Sequence, residues 1–396
     1  MIAHCRKIAL MSEEAGRTTR TFLSPPMHEV HAYFRAWMES LGMHVTVDAA
    51  GNLRGVYSCG RIAAPRLVIG SHLDTVPNAG AFDGVLGVVI GVGLIESLRH
   101  GKLDIDIEVI GFSEEEGVRF GTPFIGSRAV VGQLDDALIA LIADAIRAFG
   151  LDPAKLPDAA LHPNVIGYLE FHIEQGPVLE SLNIPLGIVE GIAGQSRVLV
   201  TFIGKANHAG TTPMHLRHDA LAAAAEWIGL VESTACESPG LVATVGRIHA
   251  CPGAGNVIAG RVEASLDVRH AGDSIRLAAV KSLREAAEEI AIKRGLDVTW
   301  REQLSQNTIN LDIALTARLE RAAGQTVRLF SGAGHDAMII APHIPSAMLF
   351  LRSPGGISHH PDEDILESDV EAAMRTGLQF ITSLNAEYGG NSSCNN

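Results

Sequence analysis

The sequence predicts an α/β protein in two parts: a domain with a mostly parallel sheet and helices on both faces, and an inserted α+β domain of ferredoxin-like type. Segments typical of strands and of helices alternate between residues 28 and 173, as expected for a mostly parallel sheet. Near residue 190 the order changes to strand, helix, strand, strand, helix, strand, which is the split βαβ arrangement. The length of 396 residues also exceeds the ~100–200 residues of an ordinary single core.

Apolar periodicity predicts the elements of the first part. Apolar residues recur at spacings of three and four in residues 28–42, so we expect an amphipathic helix there. Short apolar or alternating runs predict strands at 66–70, 105–112 and 167–173. Helices are predicted at 84–100 and 134–149.

The middle of the chain has the different pattern that defines the inserted domain, predicted as residues 191–303. Its predicted strands are 197–203, 241–250, 262–269 and 297–301, and its predicted helices are 218–234 and 273–294. The main domain is therefore predicted as 1–190 together with 304–396. In its second part we expect a helix at 313–323, a strand at 347–351, a helix at 367–384 and a disordered polar tail at 389–396.

Composition excludes several classes of protein. Lys and Arg total 31 and Asp and Glu total 45, a formal net charge of −14, so we expect no nucleic-acid and no membrane partner. The longest apolar stretch, residues 84–95, is shorter than the ~20 residues that a membrane helix needs. The N-terminus lacks a secretory pattern. Five scattered cysteines, none in a CxxC pair, favour a reducing cytoplasmic location.

Histidine and carboxylate residues follow several of the predicted strands. Ligand sites of open α/β sheets form at the carboxyl ends of the strands, so residues distant in sequence are expected to meet there. Imidazole nitrogens and carboxylate oxygens suit zinc or a similar divalent cation. The residues concerned are His72, Asp74, Asp83, Glu114, Glu115, Glu116, His172, His359 and His360.

Taken singly, each of these residues has an ordinary structural alternative. A histidine after a strand is most often a polar loop residue, and consecutive glutamates most often form a solvated turn. Asp83 could cap the helix that follows it. The glycine-rich segment 84–96 does not keep the GxGxxG spacing, so a dinucleotide-binding site is rejected.

Seven sequence motifs together resemble a known family. They are, in chain order, GSHLDTVPNAGAFDGVLGV, FSEEEGVRF, YLEFHIEQGPVLE, NHAGTTPM, GNVIAGRVEASLDVRH, SGAGHDAM and GGISHHPDE. The chain is similar to the binuclear metal amidohydrolases that include N-carbamoyl-L-amino acid hydrolase, allantoate amidohydrolase and β-ureidopropionase, within the aminoacylase–carboxypeptidase metallohydrolase superfamily. The resemblance implies a catalytic α/β domain and an inserted lid domain that carries the contact of a homodimer.

The resemblance also implies a metal centre with two divalent cations, zinc first and manganese, cobalt or nickel as alternatives. In it Asp83 bridges the cations, Asp74 orients the imidazole of His72, and Glu115 is the general base. The segment that follows the glutamates, 117–120, identifies Glu115 and Glu116 as the active pair. The implied metal ligands are His72, Asp83, Glu116, His172 and His359.

Substrate-binding roles follow from the same resemblance. His208 would stabilise the oxyanion of the reaction and would be supplied across the dimer, and Arg269 would bind a substrate carboxylate. Polar groups that orient the substrate would be Asn256, Gln195 and Gln175. His335 and Asp336 are expected to support the site, while His360 is either a competing ligand or part of the pocket wall.

The expected function is hydrolysis of the ureido (carbamoyl) C–N bond of a small carboxylate, with release of ammonia. An N-carbamoyl-L-amino acid and allantoate are both candidate substrates. Two alternatives stay open: an aminoacylase or dipeptidase of the same superfamily, and a catalytically inactive dimeric binding protein.

Overall fold

A computed structural model describes residues 1–389, so most of the predicted polar tail, including Cys394, lies outside the described residues. The contacts divide the chain into two units. The main unit consists of Met1–Glu190 and the chain from Asn310 onward, and the inserted unit is Gly191–Ile309. The insertion begins where the sequence pattern placed it and ends six residues later than the predicted residue 303.

Helices and strands are numbered in chain order. The helices are α1 (Ile2–Ala9), α2 (Pro26–Ser40), α3 (Val85–Leu98), α4 (Ile125–Val130), α5 (Asp136–Ala148), α6 (Val178–Leu182), α7 (Ala220–Glu237), α8 (Asp273–Arg294), α9 (Ile313–Ala323), α10 (Asp336–Ile340) and α11 (Glu367–Gly389). The strands are β1 (His44–Val47), β2 (Leu53–Tyr57), β3 (Arg66–His72), β4 (Asp106–Phe112), β5 (Val165–Ile173), β6 (Leu186–Ile192), β7 (Gly194–Ile203), β8 (Val242–Thr244), β9 (Ile248–Cys251), β10 (Arg261–His270), β11 (Asp297–Gln306), β12 (Ile309–Asn310), β13 (Val327–Ser331) and β14 (Ser346–Leu351).

The main unit is built on one sheet with the strand order β1-β2-β4-β3-β5-β14-β6-β12, and β13 also pairs with β6. The four central strands β4, β3, β5 and β14 are parallel. The pairs β1–β2, β2–β4 and β14–β6 are antiparallel. The predicted α/β class is therefore confirmed, with the parallel strands at the centre of the sheet.

Helices cover both faces of this sheet. Phe171 of β5 lies next to Gly377 of α11, while its neighbour Glu170 accepts a hydrogen bond from the Ala337 amide of α10. Successive side chains of a strand point to opposite faces, so α11 and α10 lie on opposite sides. The apolar helix α3 is buried from Val85 to Ile95 and contacts β3, β4 and β5. Gly87 permits that close approach, because a Cβ there would lie 2.1 Å from the Phe171 carbonyl oxygen.

The inserted unit has its own antiparallel sheet, in the order β11-β7-β10-β8, with β9 also paired to β10. Helices α7 and α8 pack on one face, where every second residue of β10 is buried. The core on that side includes Phe202, Trp227 and Leu283. This is the predicted ferredoxin-like arrangement, and it leaves the polar residues of β7 and β10 on the other face.

One predicted strand of the inserted unit is wrong in detail. Residues 241–250 form two short strands, β8 and β9, and not one strand. Between them the main chain of Arg247 exchanges hydrogen bonds with Ser265 of β10: its amide donates to the Ser265 hydroxyl, and its carbonyl accepts from the Ser265 amide. The Ser265 hydroxyl takes the place of a main-chain acceptor in the pairing with β10, so the strand is interrupted at Arg247.

Two further features bear on the sequence-based predictions. None of the helices in the described chain has both the length and the apolar character needed to cross a bilayer. The cysteines of the described chain, Cys5, Cys59, Cys236 and Cys251, are free thiols.

Candidate metal centre

The first group of possible metal ligands lies where two parallel strands end side by side. His72 is the last residue of β3 and His172 lies near the end of β5, and their Nε2 atoms are 3.4 Å apart. Asp83 reaches the same point from the loop that precedes α3. Its Oδ1 atom lies 3.3 Å from Nε2 of His172 and 3.9 Å from Nε2 of His72.

The second group lies on the other oxygen of Asp83. The Oδ2 atom is 3.1 Å from Nε2 of His359, and the same nitrogen is 3.3 Å from Oε1 of Glu116. Asp83 therefore has one oxygen toward each group, which is the arrangement that a bridging carboxylate requires. Among the described residues, possible ligand atoms within 4.8 Å of one another define three groups: His72–Asp83–His172, Asp83–Glu116–His359 and His72–Glu115–Glu116.

The donor set fits a divalent cation. It combines three imidazoles with carboxylates, the ligands that zinc and similar ions take. Burial, followed by the charge of Asp83, raises the pKa of Glu116 to about 7, and burial with the neighbouring Glu116 carboxylate raises the pKa of Glu115 well above its usual value. Buried carboxylates this close together repel one another, and a cation among them would remove that cost. The donor set and these repulsions suggest a site for a divalent cation.

Histidine protonation differs within the site. Burial lowers the pKa of His172 to about 4, which keeps its imidazole neutral, as a metal ligand must be. Burial also disfavours the charged form of His72, but Asp74 and Asp83 outweigh it and raise the pKa of His72 to about 9. A cation in the site would reverse that preference, because it would compete with the proton for the same nitrogen.

A glycine makes room for this geometry. Gly84 follows Asp83 and has φ +66° and ψ −55°, a conformation that disfavours any residue with a side chain. A Cβ at this position would also lie 2.4 Å from the imidazole of His72. Helix α3 has Gly84 as its N-cap residue and no capping side chain, so the alternative role of Asp83 as a helix cap does not hold.

Asp74 performs a different task from the one expected. Its carboxylate oxygens accept hydrogen bonds from the amides of Glu115 and Glu116, both at 3.0 Å. The Nδ1 atom of His72 lies 3.0 Å from the main-chain carbonyl of Asp74 and 3.7 Å from its carboxylate. The carbonyl therefore orients the imidazole, and the carboxylate orients the turn that carries the two glutamates.

The three consecutive glutamates have separate roles. Glu114, at φ +51°, turns its carboxylate away and accepts hydrogen bonds from the amides of Phe22 and Arg119, at 3.0 and 2.8 Å. Glu115 and Glu116 have oxygens within the cluster around His72. This geometry supports the choice of Glu115 and Glu116 as the active pair.

Gln175, predicted to orient the substrate, lies inside the candidate metal centre. Its Nε2 atom is 3.1 and 3.2 Å from the two oxygens of Asp83 and 3.4 Å from Nε2 of His359. Gln175 and His359 both have positive φ values, 58° and 57°. Non-glycine residues in this strained region are concentrated at functional sites.

Two further histidines are distinguished by burial. His335 is buried, its ring lies edge-on to His172 at a centroid distance of 4.4 Å, and its Nε2 atom is 2.9 Å from the Ser331 hydroxyl. His335 therefore lies directly behind His172, one of the possible ligands. The His360 side chain is 57% exposed and lies 3.6 Å from Asp362, and it belongs to none of the ligand groups among the described residues.

Predicted substrate residues form two pairs within the inserted unit. Gln195 of β7 and Arg269 of β10 are directly opposite in register, on the face without helices. Both contact Asp267, which lies 2.6 Å from Gln195 Nε2 and accepts two bonds from Arg269 at 2.8 and 3.0 Å. In the second pair, His208 and Asn256 lie on adjacent loops, where the Ala209 amide donates to the Asn256 carbonyl.

The sequence analysis missed two residues, one beside the predicted substrate residues and one beside Asp83. Asp267 was not singled out, although it holds the guanidinium of Arg269 in a bidentate pair and also lies 3.1 Å from Nε of Arg197. Glu363 was not singled out either, although it accepts hydrogen bonds from the amides of Phe82 and Asp83. An acidic residue two positions from an arginine in a strand was the available signal for Asp267.

The chain resembles one family along most of its length. The model of peptidase family M20/M25/M40 matches residues 68–383. The chain is 38% identical to allantoate deiminase 2 of Glycine max. The alignment, 429 positions long, covers 97% of this chain and 89% of that protein. It is 40% identical over 365 residues to the N-carbamoyl-L-amino acid amidohydrolase of Geobacillus stearothermophilus, which covers 89% of both. The crystal structure of an amidase of the hydantoinase/carbamoylase family from Burkholderia multivorans matches with a TM-score of 0.90 and 29% identity, over 97% of each chain.

Proposed function

Because the chain belongs to peptidase family M20/M25/M40, we propose that it is a metal-dependent amidohydrolase that cleaves the ureido (carbamoyl) C–N bond of a small carboxylate and releases ammonia. The observation that carries the proposal is the meeting of His72, His172 and His359 around the two oxygens of Asp83. The names of the relatives, an allantoate deiminase and an N-carbamoyl-L-amino acid amidohydrolase, support the ureido group as the reacting group.

We further propose two cations per subunit, zinc first, with manganese, cobalt or nickel as alternatives. His72 and His172 would hold one cation and Glu116 and His359 the other, with Asp83 shared between them. When bound, such cations lower the pKa of a water molecule toward ~7 and polarise a carbonyl. His359 is nearly half exposed, whereas His172 is buried. The side of the proposed metal centre that faces solvent is therefore the side at His359.

Glu115 is the proposed general base. Its carboxylate lies in the cluster with His72 and Glu116 but outside the two groups that contain Asp83. It can therefore accept a proton from water and deliver it to the departing nitrogen, while the other carboxylates serve as ligands. The amides of Glu115 and Glu116 are both fixed by Asp74, so the two side chains keep separate positions.

Substrate binding is assigned to the inserted unit. We propose that Arg269, held by Asp267 and next to Gln195, binds the substrate carboxylate. Asn256 would help to orient the substrate, and His208 would stabilise the oxyanion.

A homodimer formed through the inserted unit would supply His208 to the partner. Val242 and Ile248, on the edge strands β8 and β9, are 58% and 47% exposed, which supports an interface at this edge. The free thiols support a cytoplasmic location.

A screen for ammonia release tests the proposed function directly. The purified protein, loaded with zinc or manganese, is incubated with N-carbamoyl-L-amino acids, N-carbamoyl-β-alanine, allantoate and N-acetyl amino acids. Ammonia is measured for the ureido compounds and the free amino acid for the N-acetyl compounds, because hydrolysis of the latter yields acetate and no ammonia. We expect ammonia from at least one ureido substrate, no hydrolysis of the N-acetyl compounds, and loss of activity when a chelator removes the metal. Hydrolysis of the N-acetyl compounds alone, or undiminished turnover in metal-free protein, would contradict the proposal.

Arg269→Ala tests the carboxylate contact. Hydrogen bonds to charged groups contribute about 1.5–3 kcal/mol, so we expect kcat/KM for the carboxylate substrate to fall by about 10–100-fold. The corresponding substrate amide, which lacks the charge, is expected to lose much less. Arg261→Ala is the matched control, since Arg261 lies on the same strand and pairs with Glu263. Equal losses with both substrates would show that Arg269 does not bind the carboxylate.

A further inference from the structure

We propose that Glu363 is a positioning residue that joins the loop carrying Asp83 to the loop carrying His359, and thereby sets the geometry of both halves of the metal centre. The inference rests on the proposed function, because it concerns how this chain holds two cations. Glu363 is not one of the proposed ligands. It lies four residues after His359 and is 5% exposed.

The first contact is with the main chain of the Asp83 loop. The Oε1 atom of Glu363 accepts hydrogen bonds from two consecutive amides, those of Phe82 at 2.9 Å and Asp83 at 3.0 Å. Two donors on one oxygen fix the orientation of this segment directly before α3. The direction of the Asp83 side chain, and so of both its oxygens, depends on that orientation.

The second contact is with the loop that carries His359. The Oε2 atom of Glu363 lies 3.3 Å from the hydroxyl of Ser358, the residue before His359, and that hydroxyl also lies 3.5 Å from Oδ2 of Asp83. The amide of Glu363 donates to the carbonyl of His360 at 3.0 Å, which closes the turn. One buried carboxylate therefore contacts both loops, on either side of the bridging residue.

A glycine in the opposing loop confirms how closely the two loops pack. A Cβ added at Gly80 would lie 2.4 Å from Cβ of Glu363 and 2.5 Å from its Oε1 atom. Any larger residue at position 80 would therefore displace Glu363. Because Gly80 has no side chain, the loop that carries Asp83 leaves room for the side chain of Glu363.

Glu363 does not form an ion pair with a cationic side chain. Within residues 1–389, no cationic side chain lies within 4 Å of its carboxylate; the nearby Arg6 pairs with the exposed Asp364 at 3.2 Å. Its contacts are with two amides and a hydroxyl. A glutamine could make the same contacts, with its carbonyl toward the amides and its amide group toward Ser358, so Glu363→Gln should preserve the geometry and Glu363→Ala should not.

The test measures metal affinity and not only activity. Metal-free wild type, Glu363→Ala, Glu363→Gln and the neighbouring control Asp364→Ala are titrated with zinc in the presence of a competing chelator. Removal of residues that orient metal ligands typically weakens binding by about 10–100-fold. We expect a loss of this size in Glu363→Ala, and values within about threefold of wild type in the other two variants. Wild-type affinity for both cations in Glu363→Ala would overturn the proposal.

A second variant keeps the test decisive if Glu363→Ala folds poorly. Gly80→Ala retains the carboxylate of Glu363 but displaces it, so this variant should also weaken metal binding. In the double variant Gly80→Ala/Glu363→Gly no side-chain atom remains at position 363 for the added methyl group to displace, so the loss should be about that of Glu363→Gly alone. Additive losses would mean that the two residues act independently, which contradicts the proposed connection.

The pattern of amide hydrogen exchange distinguishes lost positioning from general destabilisation. In metal-free Glu363→Ala the amides of Phe82 and Asp83 should exchange faster than in wild type, while core amides of β3 and β5 should not change. A uniform increase over the main unit would indicate lost stability and not lost positioning. If wild type itself binds fewer than two cations, the proposed function fails first. If wild type binds two and Glu363→Ala binds them equally well, only the role of Glu363 fails.

Discussion

Glu115→Gln is expected to lower kcat by about 10³-fold while the protein keeps its full metal content. Glutamine has nearly the shape of glutamate, but its amide cannot accept a proton from water at neutral pH. Glu115 lies in the cluster with His72 and Glu116, outside the two groups that share Asp83. The cations should therefore stay bound when the carboxylate is lost. Metal per subunit and single-turnover ammonia release measure the two effects separately.

Glu114→Gln is the matched control for this prediction. Glu114 is the adjacent glutamate, and its carboxylate accepts hydrogen bonds from the amides of Phe22 and Arg119. We expect this variant to lose some stability and to keep kcat within about tenfold of wild type, since its side chain points away from the ligand groups. Comparable turnover in Glu115→Gln and wild type would remove Glu115 as the base. Loss of metal from Glu115→Gln would instead identify Glu115 as a ligand.

The sequence could predict that the proposed ligand residues come together, because each follows a recognisable strand or motif. His72 and His172 come at or near the ends of two apolar strands, and parallel neighbouring strands end at the same edge of a sheet. Asp83 follows in the loop before an apolar helix. These features depend on short-range patterns, which a single sequence displays directly.

The residues that hold the ligands could not be predicted in the same way. Glu363 contacts main-chain amides about 280 positions away, and a backbone amide leaves no trace in the sequence. The sequence predicts that the Asp74 carboxylate orients the imidazole of His72. In the structure that carboxylate accepts hydrogen bonds from the amides of Glu115 and Glu116, and the main-chain carbonyl of Asp74 contacts the imidazole instead. Asp267 faces Arg197 only through the register of β7 and β10, which depends on long-range pairing.

The antiparallel edges of the main sheet show the same limit. Strands β1 and β2 are four and five residues long; β1 pairs with β2, and the pairing of β2 with β4 depends on a sheet edge formed by residues 106–112. Their sequence has no apolar run of the kind that marks β3 or β5. The central strands were predictable because burial on both faces requires continuous apolar residues, and the outer strands lack that requirement.

Asp83→Asn is expected to reduce the number of tightly bound cations from two to at most one and to abolish turnover. Both oxygens of Asp83 face ligand groups, Oδ1 toward His172 at 3.3 Å and Oδ2 toward His359 at 3.1 Å. Asparagine has one oxygen and no charge, so it cannot serve two cations. Metal content after dialysis against a weak chelator measures the loss. Asp362→Asn, an exposed change in the loop that carries His359, should keep both cations.

Single-site variants separate a shared ligand from two independent sites. His172→Ala removes a ligand from the His72 group only, and His359→Ala removes one from the Glu116 group only, so each should weaken one cation far more than the other. Asp83→Asn should weaken both, and the combination Asp83→Asn/His359→Ala should add little to the loss at the second site. If Asp83→Asn affects one cation alone, Asp83 is not a bridge. The reaction would then have to be explained by a single cation with Glu115 beside it.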